Sequence, residues 1–183
     1  MNQHWKLLSE KDGLQHHFLN THYQRYEKVA TKDELDILVV SSSDAANVIP
    51  LTEDLEVILV KQFRFGIQKE TLEIPGGLIE LGEDRLVGIQ RELAEETGYT
   101  GDNWTQLGTL PFNPVYHKNY IHHYIAENVQ LTQETNLDLG EEIEIIKMPL
   151  PKVLHKVKGG QLAHPHTISA FMLAFDRLQT LIK

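Results

Sequence analysis

The stretch from Gly77 to Tyr99, GLIELGEDRLVGIQRELAEETGY, constrains this chain more than any other. It packs Glu83, Arg91, Glu92, Glu95 and Glu96 into what reads as one loop and one helix. Asp84 suits a helix N-cap and Gly98 a C-terminal stop, so the spacing predicts a helix over Asp84 to Thr97. Leu86, Ile89 and Leu93, with Val87 beside them, form its apolar stripe. Glu92, Glu95 and Glu96 stand three and four residues apart and share another face, about one turn apart. Carboxylates at that spacing repel one another unless a cation sits among them. Hard oxygen ligands grouped this way suit Mg²⁺ or Mn²⁺, with a phosphate completing the shell.

The same stretch resembles the signature of the Nudix hydrolases, G-x5-E-x7-R-E-U-x-E-E-x-G-U, where U is bulky and apolar or aromatic. Gly77, Glu83, Arg91, Glu92, Leu93, Glu95, Glu96, Gly98 and Tyr99 fill its nine fixed positions. A plain solvated acidic helix would explain the glutamates. It would not explain Gly77, Arg91 and Gly98 in register with them. The resemblance implies Mg²⁺-dependent hydrolysis of a pyrophosphate linkage, with Mn²⁺ able to substitute. It implies Glu92 and Glu96 as the main metal ligands, Glu95 as a third, and the Gly76 carbonyl as a further one. Glu83 and Arg91 would pair and orient the loop and the helix behind the ligands.

Composition narrows the partners. The chain has 183 residues, 41% of them hydrophobic, which suits one globular domain. Its formal net charge of −9 argues against a nucleic-acid backbone as partner. A small phosphorylated substrate stays compatible, because a bound metal reverses the local sign. The absence of cysteine excludes disulfides, thiolate metal sites and cysteine nucleophiles. No signal-peptide core and no membrane-length apolar run stand out, so a soluble cytoplasmic protein is expected.

Strands are expected at Trp5–Leu8, before a turn at Lys11-Asp12-Gly13, and at His16–Lys28. Asp36–Ser41 and Leu55–Phe65 read as buried strands, Ser42–Pro50 as a loop, and Thr71–Ile74 as a short strand. Further strands are expected at Trp104–Leu110, Tyr120–Ala126 and Ile143–Met148. Helices follow at Pro151–Lys158 and Thr167–Leu181, the last with Ile168, Phe171, Met172, Phe175, Leu178 and Leu181 on one face. The order predicts an α+β chain in layers. The resemblance implies an α/β/α sandwich with a mixed central sheet and an added N-terminal antiparallel sheet. It places a single domain over 1–183, with residues 1–50 as an extension that pairs across a homodimer and 51–183 as the core.

Two flanking features bear on the substrate. Gln62-Phe63-Arg64, then Glu70, Leu72, Glu73 and Ile74-Pro75-Gly76-Gly77, resembles the approach to the box in ADP-ribose and nucleotide-sugar pyrophosphatases. Arg64 could reach a phosphate, or be a surface arginine at a strand end. Glu73 could serve substrate or metal, or lie on an edge strand. Pro114 falls fifteen residues past the box, as in the ADP-ribose branch, but within Asn113-Pro114-Val115-Tyr116 rather than a Ser-Pro-Gly run. That departure favours a broader nucleoside diphosphate sugar hydrolase. Tyr116 or Phe18 could stack on a base, or pack in a core. The branch places its general base on a late acidic loop, which here offers Glu141 and Glu142. His117, His122, His123, His155, His164 and His166 show no zinc spacing and read as satisfied or exposed. The other readings are a nucleoside triphosphate or dinucleoside polyphosphate hydrolase, and a non-catalytic nucleotide sensor.

Overall fold

Aromatic and β-branched residues recur along the N-terminal stretch, at Trp5, Phe18, Thr21, Tyr23, Tyr26, Ile37, Val39 and Val40, and it folds into three antiparallel strands. These are β1 (Trp5–Gln15), β2 (Asn20–Lys28) and β3 (Glu34–Ser41), in the order β1-β2-β3. The structure is a computed structural model and describes residues 4–137, 140 and 142–182. It divides into two compact units, Met1–Asp44 with Leu110–Tyr120, and Ala45–Thr109 with Ile121–Lys183.

In the first unit the expected turn at Lys11–Gly13 does not form. β1 runs straight through it, absorbing the segment in register shifts between Leu7 and Ser9 and between Asp12 and Gln15. The chain reverses at residues 16–19 instead, where His16 N–H donates to Leu19 O at 3.0 Å. β3 is not the buried strand its apolar run suggests. It is the edge of a three-stranded sheet, with Leu38 49% exposed opposite Tyr23. Leu35, Ile37 and Val39 turn to the other face, where with Trp5, Tyr26 and residues 114–118 they line a cavity of 710 Å³.

The second unit carries β4 (Ala45–Leu51), β5 (Glu56–Arg64), β6 (Lys69–Glu73), β7 (Gly76–Leu78) and α1 (Arg85–Thr97). After them come β8 (Tyr99–Thr100), β9 (Asn103–Pro111), β10 (Tyr120–Glu127), β11 (Gln130–Leu131) and β12 (Ile143–Pro149). Three helices close it, α2 (Leu150–Lys158), α3 (Pro165–Leu173) and α4 (Phe175–Leu181). The main sheet has the order β12-β5-β4-β10-β9, with β6 on β5 and β7 on β4. It is mixed, because β10 runs parallel to β4 while β5 and β7 run antiparallel to it. The separate antiparallel sheet and the mixed sheet both agree with expectation. None of the described helices is long and apolar enough to cross a membrane.

Residues Ser42–Pro50 were expected as a loop, yet Ala45–Leu51 is the central strand, buried at every position. Asn47 and Pro50 interrupt its apolar run, and both are tolerated for local reasons. The Asn47 amide is satisfied by the His166 carbonyl and the His123 ring, and Pro50 falls near the strand's end.

Alternation along β4 feeds two cores. Ala46 and Val48 pack with Ile58, Ile79, Tyr124 and the α1 residues Ile89 and Leu93. Ile49 and Leu51 pack with Leu150, Val153, Phe171 and Leu178 from α2, α3 and α4. Helices therefore cover both faces of the sheet, the α/β/α layering expected. Ile89 and Leu93 are wholly buried, each contributing about 2 kcal/mol of apolar transfer. The expected helix Thr167–Leu181 is instead α3 and α4, broken at Ala174. No glycine or proline marks that break in the sequence, and Met172 turns outward, 59% exposed.

Candidate active site

α1 begins and ends where the sequence places it. The Asp84 side chain accepts from Leu86 N–H at 2.9 Å and Val87 N–H at 3.3 Å. Gly98 closes the helix in the left-handed conformation, φ 73°, its N–H donating to Ala94 O. Ile89 and Leu93 dock the helix on the sheet, which turns the carboxylate face towards β7.

Two glycines make that approach possible. A Cβ on Gly77 would lie 2.5 Å from the Glu92 carboxylate, so a larger residue there would displace the acid from this position. One residue earlier, Gly76 N–H donates to Glu96 Oε2 at 3.0 Å. Glu92 and Glu96 thus sit side by side over the β7 backbone, and Glu96 is almost wholly buried.

Arg91 ties the remaining acids together. Its Nε donates to Glu83 Oε1 at 3.1 Å, while one terminal nitrogen reaches Glu92 Oε1 at 3.0 Å and Glu95 Oε2 at 2.9 Å. The Glu83 carboxylate first, then Glu95 and Glu92, hold the guanidinium above its ordinary pKa, against the opposing effect of burial. Glu83 is in turn held below the ordinary carboxylate value by Arg91 and by the N–H of Glu80. The expected Glu83–Arg91 pair is present, and it fastens the loop of residues 79–84 to the helix.

Three carboxylates thus surround one guanidinium, with Glu96 a fourth acid held by the Gly76 N–H, and that imbalance bears on a cation. Among the described residues no three His, Asp or Glu side chains converge on one point. The arrangement is two carboxylates over a glycine pair, with a third turned to Arg91. Such an oxygen-only set fits a hard divalent ion that keeps waters and takes phosphate oxygens from its substrate. It does not fit zinc, which wants nitrogen or sulfur.

The flanking candidates are placed less uniformly. Arg64 ends β5 and is fastened to Glu73 on β6, Nε to Oε1 at 2.8 Å and the terminal nitrogen to Oε2 at 2.6 Å. Glu73 is therefore no edge-strand surface acid: it is 1% exposed and also meets the Thr71 hydroxyl and His164 Nδ1, the latter at 3.5 Å. Burial pushes its carboxyl up. Arg64, His164 and Thr71 outweigh that and hold it below the ordinary value. Pro114 and Tyr116 line the cavity of the first unit, and Phe18 lies exposed at the 16–19 turn, its ring 3.9 Å from that of His17. Glu142 is exposed, one residue before β12. The register of β12 on β5 sets Ile143 beside Gln62, so Glu142 lies at the sheet end that carries Arg64. Glu141 lies outside the described residues.

The Nudix domain family model matches residues 42–171, most of the chain. The chain belongs to the Nudix hydrolase family. An ADP-ribose pyrophosphatase of Bacillus subtilis (strain 168) is 31% identical over 133 residues, 72% of each chain. A methanol dehydrogenase activator of Bacillus methanolicus is 30% identical over 146 residues, 79% of this chain and 78% of that one. A GDP-mannose pyrophosphatase of Escherichia coli O9:H4 (strain HS) is 30% identical over 138 residues, 70% and 69%. Among solved structures, an ADP compounds hydrolase superposes with a TM-score of 0.85, covering 98% of this chain and 96% of its own at 19% identity. That likeness establishes the fold. Nudix enzymes are generally dependent on divalent metal, and the Gly76, Gly77, Glu92 and Glu96 arrangement is where this chain would hold it.

Beyond the box, the site's surroundings include residues that sequence reasoning left unassigned. Asn47, His123 and His164 are buried or half-buried and hydrogen-bonded or ion-paired. A signal existed: Asn47 and His123 are polar residues inside the apolar runs Ala45–Leu51 and Ile121–Ala126.

Proposed function

We propose that this protein is a Mg²⁺-dependent pyrophosphatase of nucleoside diphosphate sugars such as ADP-ribose, ADP-glucose or GDP-mannose, with Mn²⁺ able to substitute. It would release a nucleoside monophosphate and a sugar phosphate. The observation that carries this is the seating of Glu92 and Glu96 over Gly77 and Gly76, in a cluster with more carboxylates than cations. A bare cluster of that sign repels a pyrophosphate, and a divalent ion bound there neutralises the developing charge on the phosphoryl oxygens. Glu92, Glu96, Glu95 and the Gly76 carbonyl are the proposed ligands. The named relatives, two of which act on ADP-ribose and GDP-mannose by their names, support the substrate class.

The chain's own groups divide the remaining work. Arg91 and Glu83 hold the helix and the loop in one geometry, which positions the ligands before substrate arrives. Arg64, stiffened by Glu73, is the proposed contact to a phosphate. Pro114 and Tyr116, which line the cavity of the first unit with Trp5 and Tyr26, are the proposed base contacts. Glu142, or Glu141 beside it, is the proposed general base that takes the proton of the attacking water. A cytoplasmic homodimer completes the proposal, supported by exposed Tyr23 and Leu38 on the outer face of the three-stranded sheet. Light scattering during gel filtration reads the dimer directly.

The test of function is phosphate release from a substrate panel with Mg²⁺, coupled to alkaline phosphatase. Turnover of diphosphate sugars supports the proposal and ranks them. Turnover of nucleoside triphosphates or dinucleoside polyphosphates alone would replace it. Silence on every substrate, with Mn²⁺ also tried, would point to a nucleotide sensor.

A further inference from the structure

One row of the central sheet is polar where the flanking rows on the same face are not. β10 and β4 pair in parallel with His123 beside Asn47, and β4 pairs antiparallel to β7 with Asn47 beside Gly76. The row therefore reads His123, Asn47, Gly76. The next row on the same face reads Ile125 and Ile49, both wholly buried. The preceding row reads Ile121, Ala45 and Leu78. The two polar side chains thus stand only where the sheet carries the glycine that meets Glu96.

Their hydrogen bonds tie both side chains to α3. Asn47 Nδ2 donates to His166 O at 3.1 Å, so its Oδ1 is the acceptor that faces His123 Nδ1 at 2.7 Å. That nitrogen carries the proton, and His123 Nε2 lies 3.2 Å from the Ser169 hydroxyl. The Ser169 hydroxyl also lies 3.0 Å from His166 O, and its one proton serves one of the two acceptors. Burial, then the neighbouring His166 and His122 rings, push the His123 pKa down to about 4, which keeps the ring neutral at pH 7. Contact with the glycine is direct: a Cβ on Gly76 would lie 2.7 Å from the Asn47 Cα and Cβ. Ala46 and Val48 face α1 and its carboxylates, so Asn47 and His123 stand on the opposite side of the sheet.

We infer that Asn47 and His123 are a positioning pair, which fixes the Gly76–Gly77 ribbon from behind and so sets the geometry of the metal site in front. This rests on the metal reading above. The plainer alternative is a stitch that only ties α3 to the sheet, as the Thr167 hydroxyl does for Ile74 N–H at 3.2 Å. An apolar pair continuing the Ile125–Ile49 row would bury as much surface without desolvating an amide and an imidazole. A pair retained for stability alone has no reason to fall on the Gly76 row.

The experiment compares Mn²⁺ binding, by calorimetry and by the electron paramagnetic resonance of the free ion, in wild type, Asn47→Ala and His123→Leu. Ile125→Val, one row away, is the stability control, and Glu96→Gln shows which binding belongs to the box. Amide hydrogen exchange at Gly76 and Gly77 is followed in metal-free protein. The expected result is a Mn²⁺ Kd raised about tenfold or more in Asn47→Ala and His123→Leu, with faster exchange at both glycines and a control that binds as wild type. His123→Leu carries the test alone if Asn47→Ala does not fold. Variants that bind Mn²⁺ within twofold of wild type, with only a lowered thermal midpoint, would overturn the inference and leave a stitch. Wild type that takes up no Mn²⁺ at the box would instead overturn the metal reading beneath it.

Discussion

Arg64 and Glu73 form an ion pair whose partners are unequally buried, and that asymmetry predicts unequal losses. The Glu73 side chain is 1% exposed and that of Arg64 40%. Arg64→Met keeps most of the aliphatic stem and removes the charge. It leaves a carboxylate out of reach of water, with the Thr71 hydroxyl and the His164 ring beside it. Breaking a buried pair in this way costs about 3–5 kcal/mol. Glu73→Gln leaves a guanidinium that water can reach, and its cost is about 1–2 kcal/mol. For a chain of this size each kcal/mol moves the thermal midpoint by about 2–4 °C. Arg64→Met should therefore unfold about 6–20 °C below wild type, and Glu73→Gln about 2–8 °C below it.

The pH dependence gives the same prediction a second reading. In wild type the Glu73 pKa is depressed, so its contribution is present above the unfolded carboxylate value and is lost as pH falls through the folded one. In Arg64→Met the desolvation that Arg64 opposed is released, and the folded pKa rises above the unfolded one. The folded variant then binds more protons than its unfolded chain, and its stability falls as pH rises. Its deficit against wild type should be smaller at pH 5 than at pH 7.5. Circular dichroism melts at the two pH values measure both effects. A Glu73→Gln loss equal to or larger than that of Arg64→Met, or a deficit indifferent to pH, would refute the desolvation reasoning.

Three further outcomes are expected. Glu96→Gln should lower turnover by orders of magnitude with an unchanged circular dichroism spectrum, and near-normal activity would remove Glu96 from the ligand set. Glu142→Gln should lower kcat far more than it weakens Mn²⁺ binding, while a loss confined to Glu141→Gln would move the general base next door. His123 is held near 4 when folded and titrates near 6.5 when unfolded, so only the unfolded chain takes up its proton between those values. Its share of stability is complete above pH 6.5 and falls by about 3 kcal/mol as pH drops to 4. Urea melts across that window should show the slope in wild type and a flatter one in His123→Leu.

The helix α1 and its acids were legible in the sequence because every cue there is local. Asp84 and Gly98 cap the helix, Ile89 and Leu93 bury it, and the glutamate spacing fixes a face, all within about four helical turns. β4 was not legible, because what makes it a strand is distant. Asn47 and Pro50 break its pattern, and the partners that satisfy Asn47 lie 76 and 119 residues along the chain. β3 failed in the opposite direction: its apolar run satisfies any buried-strand template, but a three-stranded sheet leaves one of its faces uncovered. The burial of Glu73 was hidden for the same reason as that of Asn47, since nothing near it in sequence shows that Arg64 and His164 close over it. The residues misjudged are thus polar groups whose burial is decided by tertiary partners. A buried polar group persists only where its partners are fixed. Around this box the two such groups stand on the row and the strand that lead into Gly76, so the positions least visible in the sequence are those best placed to hold the site still.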